Sequence, residues 1–245
     1  MRSLDRVALS SFIQSELEKF YRERLDSLNK LDFKAVLRRK NPYLFRAKGV
    51  QTASDLARDI LEAYLSSSEE ERFGGFLESI ALFVAEQVHN AYESTLEGID
   101  LEFDYNGAHY FVQVKSGTNW GNSSQKKRLA QDFENAARSY RAVYPQAKVI
   151  CVEGSCYGRV RARKSAQSHI VLAGQAFWEL LSGSPELYLE IIEPLGSAAQ
   201  TFSLEFKNRR KGIEEEFAAK IAESFATLDG RIDWQQLLSF VSSAG

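Results

Sequence analysis

Cysteine is nearly missing from this chain, with only Cys151 and Cys156 among 245 residues. A disulfide framework needs more cysteines, and a zinc site needs more ligands at tighter spacing. The three histidines, His89, His109 and His169, are scattered and form no ligand cluster. Both cysteines are therefore expected to be reduced packing residues. Long apolar runs are missing as well. The longest candidate, Ile80 to Val88, is broken by Glu86 and Gln87, well short of the ~20 residues that cross a bilayer. The first residues, MRSLDRVALS, lack the apolar stretch of a secretion signal. No membrane association and a cytoplasmic location are expected. Proline occurs four times, and there is no internal repeat or low-complexity linker. A single domain over 1–245 is expected, with a helical N-terminal region over 1–75, a core over 76–196 and a helical C-terminal region over 197–245.

Net charge is also small, at −2, so bulk electrostatics give no hint of a nucleic-acid partner. The distribution is more informative. Lys34, Arg38, Arg39, Lys40, Arg46 and Lys48 follow one another with no acid between them. Shorter basic runs lie at Lys126-Lys127-Arg128, at Arg159 to Lys164 and at Lys207 to Lys211, while acids gather at 69–71, 93–104 and 214–216. Segregated charge builds a basic cleft on a neutral protein, although any single run is more often a solvated face.

Apolar periodicity predicts helices over 4–28, 53–65 and 76–93, with Ser68 capping a further helix and Gly74-Gly75 interrupting it. The period then changes from helical to two. Ile99-Asp100-Leu101-Glu102-Phe103-Asp104 alternates strictly between apolar and acidic, as a half-buried strand does. Asn106-Gly107 is a strong hairpin signal, and His109 to Lys115 is the return strand. A polar loop, 116–124, leads to a helix over 125–143. Residues 148–153 read as a buried strand and 157–164 as a further one. Helices are expected at 171–182, 186–193, 198–226 and 233–242. The order helix, hairpin, helix, strand predicts an α/β core with helical flanks.

A two-residue turn at Asn106-Gly107 pairs Tyr105 with Ala108 and, counting back, Asp100 with Gln113. Side chains alternate along a strand, so Asp100, Glu102, Asp104, Gln113 and Lys115 project from one face, and Ile99, Leu101, Val112 and Val114 from the other. A carboxylate, a carboxamide and an ammonium then meet at one end of the hairpin. Mg²⁺ takes hard oxygen ligands and is usually held by one or two carboxylates plus substrate phosphate. Asp100 and the Gln113 oxygen suit that role, and Lys115 suits the stabilisation of an attacking hydroxide or of developing phosphorane charge. A charged hairpin face is more often simply the wet side of a sheet. The loop Ser116 to Gln125, rich in small and amide residues around Trp120, raises the odds of function.

These residues resemble the PD-(D/E)xK nucleases, especially type II restriction endonucleases. The matching pattern is Gly98-Ile99-Asp100 followed, after twelve residues, by Gln113-Val114-Lys115. The resemblance implies a restriction-endonuclease-like mixed β-sheet flanked by helices, Mg²⁺ dependence and cleavage to 5′-phosphate ends. It also implies a metal-site glutamate on the preceding helix, matched by Glu78 in GGFLESIALFVAEQV. The longer stretch GIDLEF … VQVKSGTNWGNSSQ … FENA, with CVEGSCYGR and FWELLSG, is similar to the PmeII-like group over about residues 40–200. Two departures stand out: Ile99 replaces the proline of the motif, and Gln113 replaces its second acid.

Double-stranded DNA is the expected partner. Asn119, Asn122, Ser123, Ser124 and Gln125 are candidate contacts to base edges or phosphates, with Ser124 also expected to cap the following helix. Lys126, Lys127 and Arg128 oppose that helix dipole, which makes sense beside phosphate. Arg159, Arg161 and Arg163 alternate along one strand face and are candidates for lining a groove; as an edge strand they equally suit solvent. Trp120 is expected as a packing anchor. A palindromic target favours a homodimer. Two alternatives stand beside the restriction enzyme: a repair or junction nuclease without sequence specificity, and a DNA-binding protein whose catalytic site is spent.

Overall fold

The computed structural model describes residues 1–160, 163–164 and 169–243. It divides into two compact units: residues 1–17 with 73–198, and residues 18–72 with 199–245. Helices α1 (Arg6–Asn29), α4 (Ala53–His89) and α8 (Ile192–Phe225) each contribute to both.

The first unit is built on a mixed sheet. Its strands are β1 (Tyr92–Glu93), β2 (Leu101–Tyr105), β3 (Ala108–Lys115), β4 (Lys148–Ser155), β5 (Arg163–Lys164) and β6 (Ile170–Ala173), in spatial order β1-β2-β3-β4-β6-β5. Pairing is antiparallel from β1 to β3, parallel from β3 through β4 to β6, and antiparallel again for β5. The turn works as expected. Asn106 and Gly107 both take positive φ, 48° and 72°, which a two-residue hairpin needs to match strand twist. The parallel step from β3 to β4 requires a crossover, supplied by α5 (Ser123–Val143).

Helices cover both sheet faces. On one, His89 of α4 stacks on Phe103 at 4.5 Å, and Phe103 on Tyr110 at 4.9 Å. Helix α6 (Gln175–Ser182) lays Phe177 against Gly154 so closely that an added Cβ would sit 2.1 Å from the ring. On the other face, Ile99 and Phe111 pack with Leu129, Phe133 and Ala136 of α5. The second unit is helical, comprising α2 (Phe33–Arg38), α3 (Pro42–Ala47), α9 (Trp234–Ser242) and its shares of the long helices around Phe33, Leu56, Ile60, Phe217, Ile221 and Leu237.

Several boundaries differ from expectation. Helices expected over 53–65 and 76–93 are one helix, α4. Ser67 and Ser68 do not cap; their hydroxyls donate to the carbonyls of Ala63 and Leu65. Gly74 and Gly75 continue the helix, since two glycines lower helix propensity without forbidding it. The helix ends at His89, where Asn90 takes φ 58°, and Tyr92-Glu93 joins the sheet. The segment 171–182 is β6 followed by α6, separated by Gly174 at φ 54°; a four-residue apolar run does not distinguish strand from helix by period. Within 186–193 lie α7 (Leu187–Glu190) and the start of α8, which accommodates Pro194 in its first turn. The basic run 34–48 holds α2 and α3, capped by Asp32 and Asn41.

Candidate active site

The hairpin register is the expected one. Leu101 pairs with Val112 and Glu102 with Phe111, which sets Asp100 level with Gln113. The Asp100 N–H donates to the Val112 carbonyl at 2.9 Å. Asp100 Oδ2 accepts from Val114 N at 2.5 Å, and no group among the described residues bonds its Oδ1. Gln113 Nε2 donates to the Gly98 carbonyl at 3.0 Å, while its Oε1 is buried without a partner. An acceptor in that condition costs about 1–3 kcal/mol unless something binds it. Gly98 sits at φ 76°, and an added Cβ would lie 2.5 Å from Asp132 Oδ2. Glycine is therefore required just before Ile99-Asp100, and its carbonyl orients the amide.

Glu78 reaches this site from α4. Burial, then the charge of Asp100, push its carboxyl up to about 7, with Lys115 pulling the other way. Burial also raises Asp100, against the Val114 hydrogen bond and the Lys115 charge. Glu93 of β1 adds negative potential at both carboxylates. The structure thus brings Glu78, Asp100, Gln113 and Lys115 into one electrostatic neighbourhood and adds Glu93, which apolar periodicity assigns to the end of a helix.

Two expectations about sheet faces change. Ile99 does not share a face with Leu101; it joins Phe111 against α5, because the backbone turns at Gly98 before the strand begins. Nor is the polar face open to water, since α5 covers it and leaves Glu102 7% and Gln113 9% exposed. Glu102 is occupied elsewhere. It accepts from Ser94 Oγ at 2.5 Å and Tyr92 Oη at 3.1 Å, and lies 3.1 Å from His109 Nε2. His109 Nδ1 meets Asp104 at 2.9 Å. Burial and Glu102 push the Tyr92 phenol up to about 12, so it stays a donor. This network ties β1 to the hairpin.

The following loop is anchored by Trp120, whose Nε1 donates to Glu153 Oε1 at 2.8 Å. Asn122, not Ser124, caps α5: its side chain accepts from Ser124 N and Gln125 N, and Gln125 Oε1 accepts from Asn122 N at 2.8 Å. The capping box thus engages the side-chain oxygens of two proposed base-reading residues. Asn119, Ser123, Lys126 and Lys127 are exposed, and Arg128 pairs with Glu97. Arg159 is exposed, Arg163 lies in β5, and Arg161 lies outside the described residues. Burial pushes the thiols of Cys151 and Cys156 up to about 11 and 12, as expected of packing residues.

Among the described residues no three His, Cys, Asp or Glu side chains group closely enough to hold a metal by themselves. The donor set here is two carboxylates and an amide oxygen. It fits a hard divalent cation that keeps waters, and the orphaned Gln113 Oε1 supplies the acceptor such an ion uses. No helix among the described residues is long and apolar enough to cross a membrane.

A search of curated proteins finds no match. Comparison with protein families matches residues 7–203 to the type II restriction endonuclease EcoO109I, whereas the longer sequence stretches resembled the PmeII-like group of the same class. The match spans the sheet, the Gly98-Ile99-Asp100 and Gln113-Val114-Lys115 segments and Glu78. The chain therefore belongs to the type II restriction endonuclease EcoO109I family, within the PD-(D/E)xK nuclease superfamily.

Proposed function

We propose that the protein is a Mg²⁺-dependent endonuclease that cuts double-stranded DNA at a specific short sequence. The observation that carries this reading is the convergence of Asp100, Gln113 and Lys115 at one end of the hairpin, with Gln113 Oε1 left without a partner. Asp100, Gln113 and Glu78 would hold the divalent ion, which when bound supplies Lewis-acid polarisation of the scissile phosphate. Gln113 keeps its oxygen directed into the site by donating its amide hydrogen to Gly98. The Val114 amide holds Asp100 in one orientation. Lys115 places positive charge where charge develops on the phosphate oxygens, and this falls in the transition state. The cationic side chains at the start of α5 and Arg159 offer contacts to the DNA backbone, which positions without specifying sequence.

Digestion of a mapped plasmid with and without Mg²⁺ tests the proposal. Discrete bands that require the ion support it; a smear favours a nuclease without sequence preference. Retained DNA binding with no cleavage under any divalent ion favours a spent site.

A further inference from the structure

The Lys115 backbone is clamped. Its carbonyl accepts from Cys156 N at 2.8 Å, and the Ser116 carbonyl accepts from Tyr157 N at 3.0 Å. Gly117 packs under the Tyr157 ring so tightly that an added Cβ would lie 2.4 Å from it. The side chain is another matter, because a lysine stem is flexible and its ammonium is a point charge. Among the described residues no carboxylate lies in ion-pair range of Lys115. What stands against it is a ring: Lys115 Nζ lies 5.1 Å from the Trp120 ring centroid, within the range of cation–π attraction. Lys126 Nζ lies 5.8 Å from the same ring.

The ring is itself held. Glu153, paired with Gln113 across β3 and β4, accepts the indole N–H with Oε1 and faces His169 Nε2 at 3.1 Å with Oε2. Burial works against the Glu153 charge, but the hydrogen bonds from His169 and Trp120 outweigh it and hold this carboxyl below its ordinary value.

We infer that Glu153 and Trp120 are positioning residues for Lys115: the carboxylate of β4 fixes the indole, and the indole face fixes the ammonium within the electrostatic neighbourhood of Asp100. This rests on the nuclease reading and adds to it a relay from a strand outside the motif. It also turns Trp120 from a packing anchor into a support of the site.

The test uses the full chain with lysines reductively ¹³C-methylated, the Lys115 resonance being assigned by its loss in Lys115→Arg. Ring current displaces that resonance upfield in the parent. The shift collapses in Trp120→Leu, which removes the ring, and weakens in Glu153→Ala and in Trp120→Phe, both of which keep an aromatic face and lose the hydrogen bond that fixes it. Cleavage follows: kcat falls about 10- to 100-fold in Trp120→Leu with KM nearly unchanged, and falls by a smaller and similar factor in Glu153→Ala and Trp120→Phe. Melting curves on each variant separate this from loss of fold, and Glu153→Ala serves if Trp120→Leu does not fold. An unshifted Lys115 resonance in the parent, or a loss carried by KM alone, overturns the inference. If Lys115→Ala cleaves at the parental rate, the nuclease role of Lys115 fails and the proposed relay fails with it. The resonance then still reports whether ring and ammonium touch.

Discussion

Gln113 stands where the superfamily motif has an acid, and its geometry suits the metal-holding role proposed for it. One end donates to Gly98, and the other presents a buried oxygen. Gln113→Glu loses the first contact and gains charge beside Asp100 and Glu78. Cleavage is expected to persist or rise at saturating Mg²⁺; total loss would assign the amide a role other than metal ligation. Lys115→Ala is expected to lower kcat by ~10²–10³ while gel-shift affinity for DNA stays near parental, and unchanged cleavage would remove Lys115 from the chemistry. Glu78 makes a pH-dependent prediction. Its folded value, about 7, lies above the ordinary 4.5, so between those limits the metal-free native state binds more protons than the unfolded chain. Its contribution to stability is complete below pH 4.5 and is lost as pH rises toward 7. Denaturant melts of the parent and Glu78→Gln should diverge across this window, the parent losing ground as pH rises. Parallel curves would contradict the assignment.

At the scale of elements, the hairpin was the most legible, because alternation over 99–104 and the Asn106-Gly107 turn are local signals that determine register. The structure pairs the residues that this counting pairs. Glu93 was not legible, since a two-residue strand has no period of its own and is recognised only by its partner β2. The Glu153–His169 contact was hidden for a similar reason, because only the crossover between strands creates it. Long α4 was read as pieces, its polar serines and paired glycines imitating an ending. Two substitutions test that element reading. Gly75→Ala meets nothing within 4 Å and should stabilise the protein by up to ~1 kcal/mol in denaturant melts. Gly154→Ala meets the Phe177 ring and should cost about 1–3 kcal/mol by the same measure; a neutral outcome would show that α6 shifts freely.

For the molecule as a whole, family membership implies a DNA substrate, and the site-specific cleavage proposed above, at a palindromic target, would call for two copies of the 27.7 kDa chain. Sedimentation should give twice the chain mass, with or without DNA; a monomer at cleaving concentrations would point to an asymmetric target or to transient pairing. No signal in the sequence encodes the recognised bases. Of the expected base readers, Asn122 and Gln125 serve the α5 cap, and the basic segment near Arg161 lies partly outside the described residues.

The two arms of the hairpin are equal. Six residues run from Tyr105 back to Asp100, and six from Ala108 forward to Gln113. Asp100 and Gln113, the proposed metal ligands of the hairpin, are thus addressed by counting from a turn that lies some ~20 Å away along the strands. Deleting Tyr110 alone would leave every reactive group in the chain yet send valine to the place of the amide, turning the reading frame of the strand into a condition for chemistry.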